Sequence, residues 1–199
     1  MGKVWLCGGQ ADDRACINFD GKQFNPVPST QSGHREGAMV NFRGSGVSET
    51  ILSPVIIGGC FLQCRYSSGA VEKWYDDFGG FWQQLAAVPT RSGELQAHSA
   101  VATEEKIFVF GDLNYPNVYS YNIDENKWIQ EPNLLVSRYG HKSIAVDNYF
   151  VHVGGRGTKP FERWWDDGRQ RWASQSALDN FAYYPEVHLL NIEDIQSCL

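Results

Sequence analysis

The chain has 199 residues, 42% of them hydrophobic, and sets 17 basic against 23 acidic side chains for a net charge of -6. That length holds one sizeable core or a short repeat array. The basic residues form no stripe for a nucleic-acid backbone or an anionic membrane surface, and no stretch reaches the roughly 18 apolar residues of a membrane span, so neither nucleic acid nor membrane insertion is expected. Eleven Phe, seven Trp and nine Tyr, with 20 Gly and eight Pro, predict short strands broken by tight turns.

In chain order, four blocks carry the same marks. The first is Val4-Trp5-Leu6-Cys7-Gly8-Gly9, then Phe19-Asp20 and Phe24. The second has Gly33-His34, then Val55-Ile56-Ile57-Gly58-Gly59, Tyr75-Asp76 and Trp82. Its extra Gly- and Ser-rich residues, roughly Arg43 to Ser53, read as an extended strand connection or loop. The third runs from His98-Ser99-Ala100-Val101 through Ile107-Phe108-Val109-Phe110-Gly111 to Tyr121-Asn122 and Trp128, with Asp124-Glu125-Asn126-Lys127 as a hairpin turn. The fourth runs from Gly140-His141 through Phe150-Val151-His152-Val153-Gly154-Gly155 to Trp164-Trp165-Asp166 and Trp172. Residues 183–191 begin eleven positions after Trp172, as residues 139–147 begin eleven after Trp128, and occupy the place of a fifth first strand.

Tyr75 to Trp82, Tyr121 to Trp128 and Trp165 to Trp172 are each seven apart, and the Trp-to-Trp period is 46 and then 44. With Gly-Gly in phase, these marks resemble the kelch repeat, whose period is roughly 50 residues. The resemblance covers nearly the whole chain, is weaker in the first block, and departs from the pattern where Gly111-Asp112 replaces Gly-Gly and Phe24 replaces Trp. It implies an all-β fold: a kelch-type β-propeller of about four four-stranded blades in one domain. The blades fall at about residues 1–29, 30–89, 90–134 and 135–177, with a closing strand at 183–191. Such blades cannot cover their own faces, so Tyr75, Trp82, Tyr121, Trp128, Trp165 and Trp172 should fill the gaps between them. The first block lacks an opening strand and the C-terminus supplies one, so the chain forms either a small closed ring or an open arc of a larger propeller.

No catalytic motif survives inspection. There is no His-Glu-x-x-His, phosphate loop or Gly-x-Ser-x-Gly. Asp76-Asp77 and Asp166-Asp167 recur in one slot and read as turn residues; Glu72 and Asp76 match part of the iron set of a plant kelch group, but Gly80 stands where its histidine would be. His34, His98 and His141 recur at the block start and read as buried structural histidines. Cys60 and Cys64 have the spacing of half a zinc site, but no second Cys or His pair lies at zinc spacing, so they read as a free or disulfide-linked loop. No catalytic residue, metal or cofactor is therefore expected. Five cysteines cannot all pair and no Asn-x-Ser/Thr acceptor occurs, so free thiols and a cytoplasmic rather than secreted location are favoured.

Function is then expected in loops on a rigid scaffold. The loops after Gly-Gly and those joining blocks should share one face carrying Arg14, Arg65, Arg91, Tyr115, Arg138 and Arg156. Arg and Tyr dominate interface energetics, and Arg binds carboxylates with a bidentate fork. The expected role is a non-catalytic module binding another protein through an acidic or polar segment. The alternative is a small kelch-type enzyme or carbohydrate-binding propeller.

Overall fold

The computed structural model describes residues 3–9, 11–43, 52–113, 115–146, 149–156, 161–165 and 171–174. Its strands are β1 (Val4–Cys7), β2 (Cys16–Phe19), β3 (Phe24–Val27), β4 (Ala38–Arg43), β5 (Leu52–Ile57), β6 (Cys60–Phe61), β7 (Tyr66–Ser67), β8 (Val71–Tyr75) and β9 (Phe81–Leu85). They continue with β10 (Ser99–Ala102), β11 (Lys106–Phe110), β12 (Val118–Asn122), β13 (Lys127–Glu131), β14 (Tyr139–Val146), β15 (Tyr149–Arg156), β16 (Phe161–Trp165) and β17 (Arg171–Ser174). No α-helix occurs among the described residues; one 3-10 turn spans Asp77–Gly79. Three antiparallel meanders have four strands each, β4-β5-β8-β9, β10-β11-β12-β13 and β14-β15-β16-β17, and β1-β2-β3 has three. The short β6-β7 hairpin is inserted between β5 and β8.

The middle strands do not alternate. Val71–Trp74 of β8 and Val118–Tyr121 of β12 are buried at every position, because each sheet is packed on both faces by its neighbours. The outermost strands alternate more, and β9 and β13 bury only Trp82 and Trp128. Of the first strands, β10 lies against both β4 and β14. Three cores separate the sheets. Trp5, Cys16, Ile56, Trp74 and Trp82 meet between the first and second. Val55, Ile57, Ile107, Tyr121 and Trp128 meet between the second and third, and Phe110, Leu134, Ala145 and Phe150 between the third and fourth. A buried tryptophan contributes on the order of 4 kcal/mol through its area, and each here also ties two sheets. The Trp82 indole N–H donates to the Pro28 carbonyl at 3.0 Å, and that of Trp128 to the Ala86 carbonyl at 2.7 Å. Both acceptors lie on the linker leaving the preceding sheet.

The paired glycines and the recurrent histidines explain one another. A side chain at Gly58 would strike the His98 ring of the next sheet at 2.7 Å, and one at Gly111 would meet His141 at 3.3 Å. Both glycines also hold positive φ, +56° and +63°, where a side chain is strained. The sheet ends in glycine so that the next sheet's histidine can lie on it.

The structure corrects the sequence expectations at several points. Cross-strand pairing sets Tyr121 opposite Trp128, but Trp74 opposite Trp82 and Trp164 opposite Trp172. Five residues separate β8 from β9 and β16 from β17, against four between β12 and β13, which shifts the register by one. Trp74 is accordingly buried, while Tyr75 is only half-buried and stacks on Phe81 at 5.5 Å. The extra segment of the second block is flanked by strand, as its extended-strand reading allowed, with β4 reaching Arg43 and β5 starting at Leu52. The expectation of free thiols gives way to bonded pairs, Cys7 with Cys16 and Cys60 with Cys64; the first joins residues opposite each other in the β1-β2 register. The strand expected at 183–191, Asp166, Asp167 and Cys198 lie outside the described residues.

Candidate functional site

A cleft of about 750 Å3 opens where three segments meet. These are the β1-β2 loop with Asp12, Asp13 and Arg14, the linker with Gln31 and Ser32, and the β6-β7 hairpin with Phe61 and Leu62. Asp13 joins all three. Its carbonyl accepts the His34 N–H at 2.8 Å, and its Oδ2 accepts the Leu62 N–H at 2.9 Å. Arg14 is fixed through its backbone: its N–H donates to Asp12 Oδ1 at 2.9 Å, and its carbonyl accepts the Thr30 N–H at 3.0 Å. Its side chain is exposed.

The floor of the cleft rests on a buried carboxylate. Glu72 on β8 is 0% exposed. Its Oε2 accepts the Gln31 N–H and its Oε1 the Ser32 N–H, each at 2.8 Å. His34 Nε2 lies 3.0 Å from Oε1, and Nδ1 lies 2.6 Å from the Gly58 carbonyl oxygen. Burial pushes the Glu72 carboxyl up, but the hydrogen bonds from His34, Gln31 and Ser32 outweigh it and hold the group below the usual carboxylate range. The wall is a strained hairpin. Leu62, Gln63 and Cys64 all hold left-handed φ of 51°, 58° and 59°, a conformation that non-glycine residues rarely adopt. The turn leaves Leu62 61% exposed, while Phe61 stacks on Tyr66 with ring centroids 5.5 Å apart.

A smaller hollow of about 40 Å3 lies on the other side of the hairpin and is lined by Ser67, Ser92, Glu94 and Tyr115 among others. Asp112 Oδ1 accepts the Tyr115 N–H at 2.7 Å and so shapes the loop after Gly111.

The structure places the six expected binding residues differently. Arg14 lines the larger cleft and Tyr115 the smaller hollow. Arg65 is exposed on the hairpin between them, and Arg91, also exposed, precedes Ser92 of the smaller hollow. Arg138 is not on the surface. It is 0% exposed and its Nη1 donates to the Gly154 carbonyl at 3.1 Å, which ties the segment entering β14 to β15 of the same sheet. Arg156 is exposed at the end of β15 and donates to the Tyr139 hydroxyl at 3.1 Å. Asp13, Phe61 and Leu62 were missed. Their spacing carries no motif, and they meet only because the hairpin folds back over the β1-β2 loop.

No protein-family model matches the chain. Among curated proteins it is 34% identical to Kelch-like protein 38 of Homo sapiens over 91 residues, which is 42% of this chain and 15% of that protein. It is 30% identical to Kelch-like protein 24 of Homo sapiens over 143 residues, 70% of this chain and 21% of that protein. The chain thus spans about a fifth or less of the length of these relatives. Among solved structures, that described as the structure of YjhT matches with a TM-score of 0.56 at 14% identity, covering 75% of this chain and 53% of that one. At that identity the likeness is one of fold.

Proposed function

The chain is a member of the kelch repeat family with an all-β, propeller-type fold, and on that premise we propose that it binds another protein through the face formed by the β1-β2 loop, the β6-β7 hairpin and the linkers. The observation that carries this reading is the cleft itself. It brings an exposed apolar side chain, Leu62, and Arg14 to the lining of one cleft whose backbone is held by Asp13 and Glu72. A loop surface held rigid from behind binds without a large ordering cost, and aromatic and arginine side chains supply most interface energy. Arg14 and Arg65 favour an acidic or polar segment as the ligand. Asp12 and Asp13, the carboxylates of the cleft, are both engaged by backbone N–H groups. That supports a positioning role over acid–base chemistry and favours a binding module over an enzyme. Among the described residues no helix is long and apolar enough to cross a membrane.

The test is the pair Arg14→Ala with Arg65→Ala. Both side chains are exposed, so the melting temperature should be unchanged. Each charged hydrogen bond contributes roughly 1–3 kcal/mol, so affinity for a protein captured by the parent chain should fall by about 100-fold. Unchanged capture by the double variant would reject the arginine face.

A further inference from the structure

We propose that Cys60, Cys64 and Glu36 form a site for a thiophilic divalent cation of the zinc class, opened by reduction of the Cys60–Cys64 bond. The two sulfurs and a Glu36 carboxylate oxygen all lie within 4.8 Å of one another. The two sulfurs are bonded to each other in this structure, and breaking that bond would free both thiolates beside the carboxylate, within reach of a cation that takes bonds of roughly 2.0–2.3 Å to such donors. From sequence the two cysteines are half a site with no further ligand in range. The fold supplies the third donor: Arg35 and Cys60 form an antiparallel bridge, with hydrogen bonds of 3.1 and 2.7 Å, that carries the next residue, Glu36, alongside the hairpin.

The arrangement has the other features of a metal site. Gln96 Nε2 donates to Glu36 Oε2 at 2.8 Å and orients the carboxylate, as second partners of ligating groups do. Cys60 is fully buried, whereas Glu36 is exposed and Cys64 partly so, which gives a cation a route in from solvent and leaves a fourth position for water. The chemistry balances with a dithiol as the reductant. The Sγ–Sγ bond takes two electrons and two protons from the dithiol, which leaves as its cyclic disulfide. The cation then displaces one proton from each thiol and binds two thiolates and the carboxylate. The covalent link within the hairpin is thereby exchanged for a link between the hairpin and the linker before β4, and both forms hold Phe61 and Leu62 against the cleft.

The experiment uses the full chain, reduced with dithiothreitol, desalted under nitrogen and titrated with cobalt(II) as a spectroscopic substitute for zinc. The reduced parent should take up one equivalent with a thiolate-to-metal charge-transfer band, and zinc should displace it. Bound metal should protect Cys64, the partly exposed thiol of the pair, from alkylation, read by peptide mapping, while Cys7, also partly exposed, remains open. Cys64→Ser should abolish the band, Glu36→Gln should weaken uptake by about 10-fold or more, and Cys7→Ser with Cys16→Ser, or Cys198→Ser, should leave it intact. Circular dichroism confirms that each variant is folded. Absence of the band in the reduced parent, or its survival in Cys64→Ser, would overturn the site.

Discussion

Replacing Glu72 by alanine should cost about 3 kcal/mol or more, because each buried donor left without its acceptor costs roughly 1–3 kcal/mol. The substitution leaves the buried His34 ring without its carboxylate and strips the Gln31 and Ser32 N–H groups of their acceptor. Set against a total stability of about 5–15 kcal/mol for a typical domain, that brings the chain to the edge of unfolding. Glu72→Gln keeps the volume and one acceptor oxygen and should cost less. Urea denaturation at neutral pH measures both. Because residues 31 and 32 form the floor of the cleft, Glu72→Ala should also lose partner binding at temperatures where it is still folded. A Glu72→Ala chain within about 1 kcal/mol of the parent, the shift of an ordinary substitution, would show that the carboxylate does not hold this region.

Stability should fall as the pH drops below the ordinary histidine range. Burial pushes His98 from 6.5 down to about 3, offset in part by the Ile57 carbonyl. Burial and then the Arg138 charge bring His141 down to about 3, and burial holds His152 well below its ordinary value. The unfolded chain takes up protons on these rings near pH 6.5, whereas the folded chain does not until about 3. The stabilisation is therefore complete above the unfolded value and is lost through the interval below it. At about 1.4 kcal/mol per pH unit for each ring, His98 and His141 should each remove about 2 kcal/mol by pH 5, and His152 adds a loss of the same sign. Glu72, held below its ordinary value, adds a loss of the same sign at lower pH. Urea curves at pH 7.5 and pH 5 test this, and His98→Gln should reduce the slope by one ring's share. Equal stability at the two pH values would contradict it.

What could be read from the sequence was whatever repeats. The glycine and histidine marks recur because each sheet makes the same contact with the next, Gly58 on His98 and Gly111 on His141. The tryptophans of β9 and β13 recur because each clasps the preceding linker. What could not be read depends on one-off distances along the chain. The separation of 38 positions between His34 and Glu72 conceals their contact, and in the sequence Glu72 had suggested only a fragment of an iron motif. Register shifted by one residue exchanged Trp74 for Tyr75 and Trp164 for Trp165 as the cross-strand partners. Arg138 had the composition of a surface contact but lies beneath the face, on the Gly154 carbonyl. The disulfide of β1 and β2 follows from strand register, which a cysteine count does not contain.

The most direct test of a binding face is to place a photo-crosslinking side chain on it. Gln63 lines the cleft, while Phe78, fully exposed in the β8-β9 turn, lies at the opposite end of β8 from the hairpin and the linkers. With the probe at position 63, irradiation in the cell extract should give a discrete protein adduct that is lost when Arg14→Ala and Arg65→Ala are added. The probe at position 78 should give none. A probe at 63 that captures no protein, or equal adducts from both positions, would contradict the assignment of this face as the protein-binding surface.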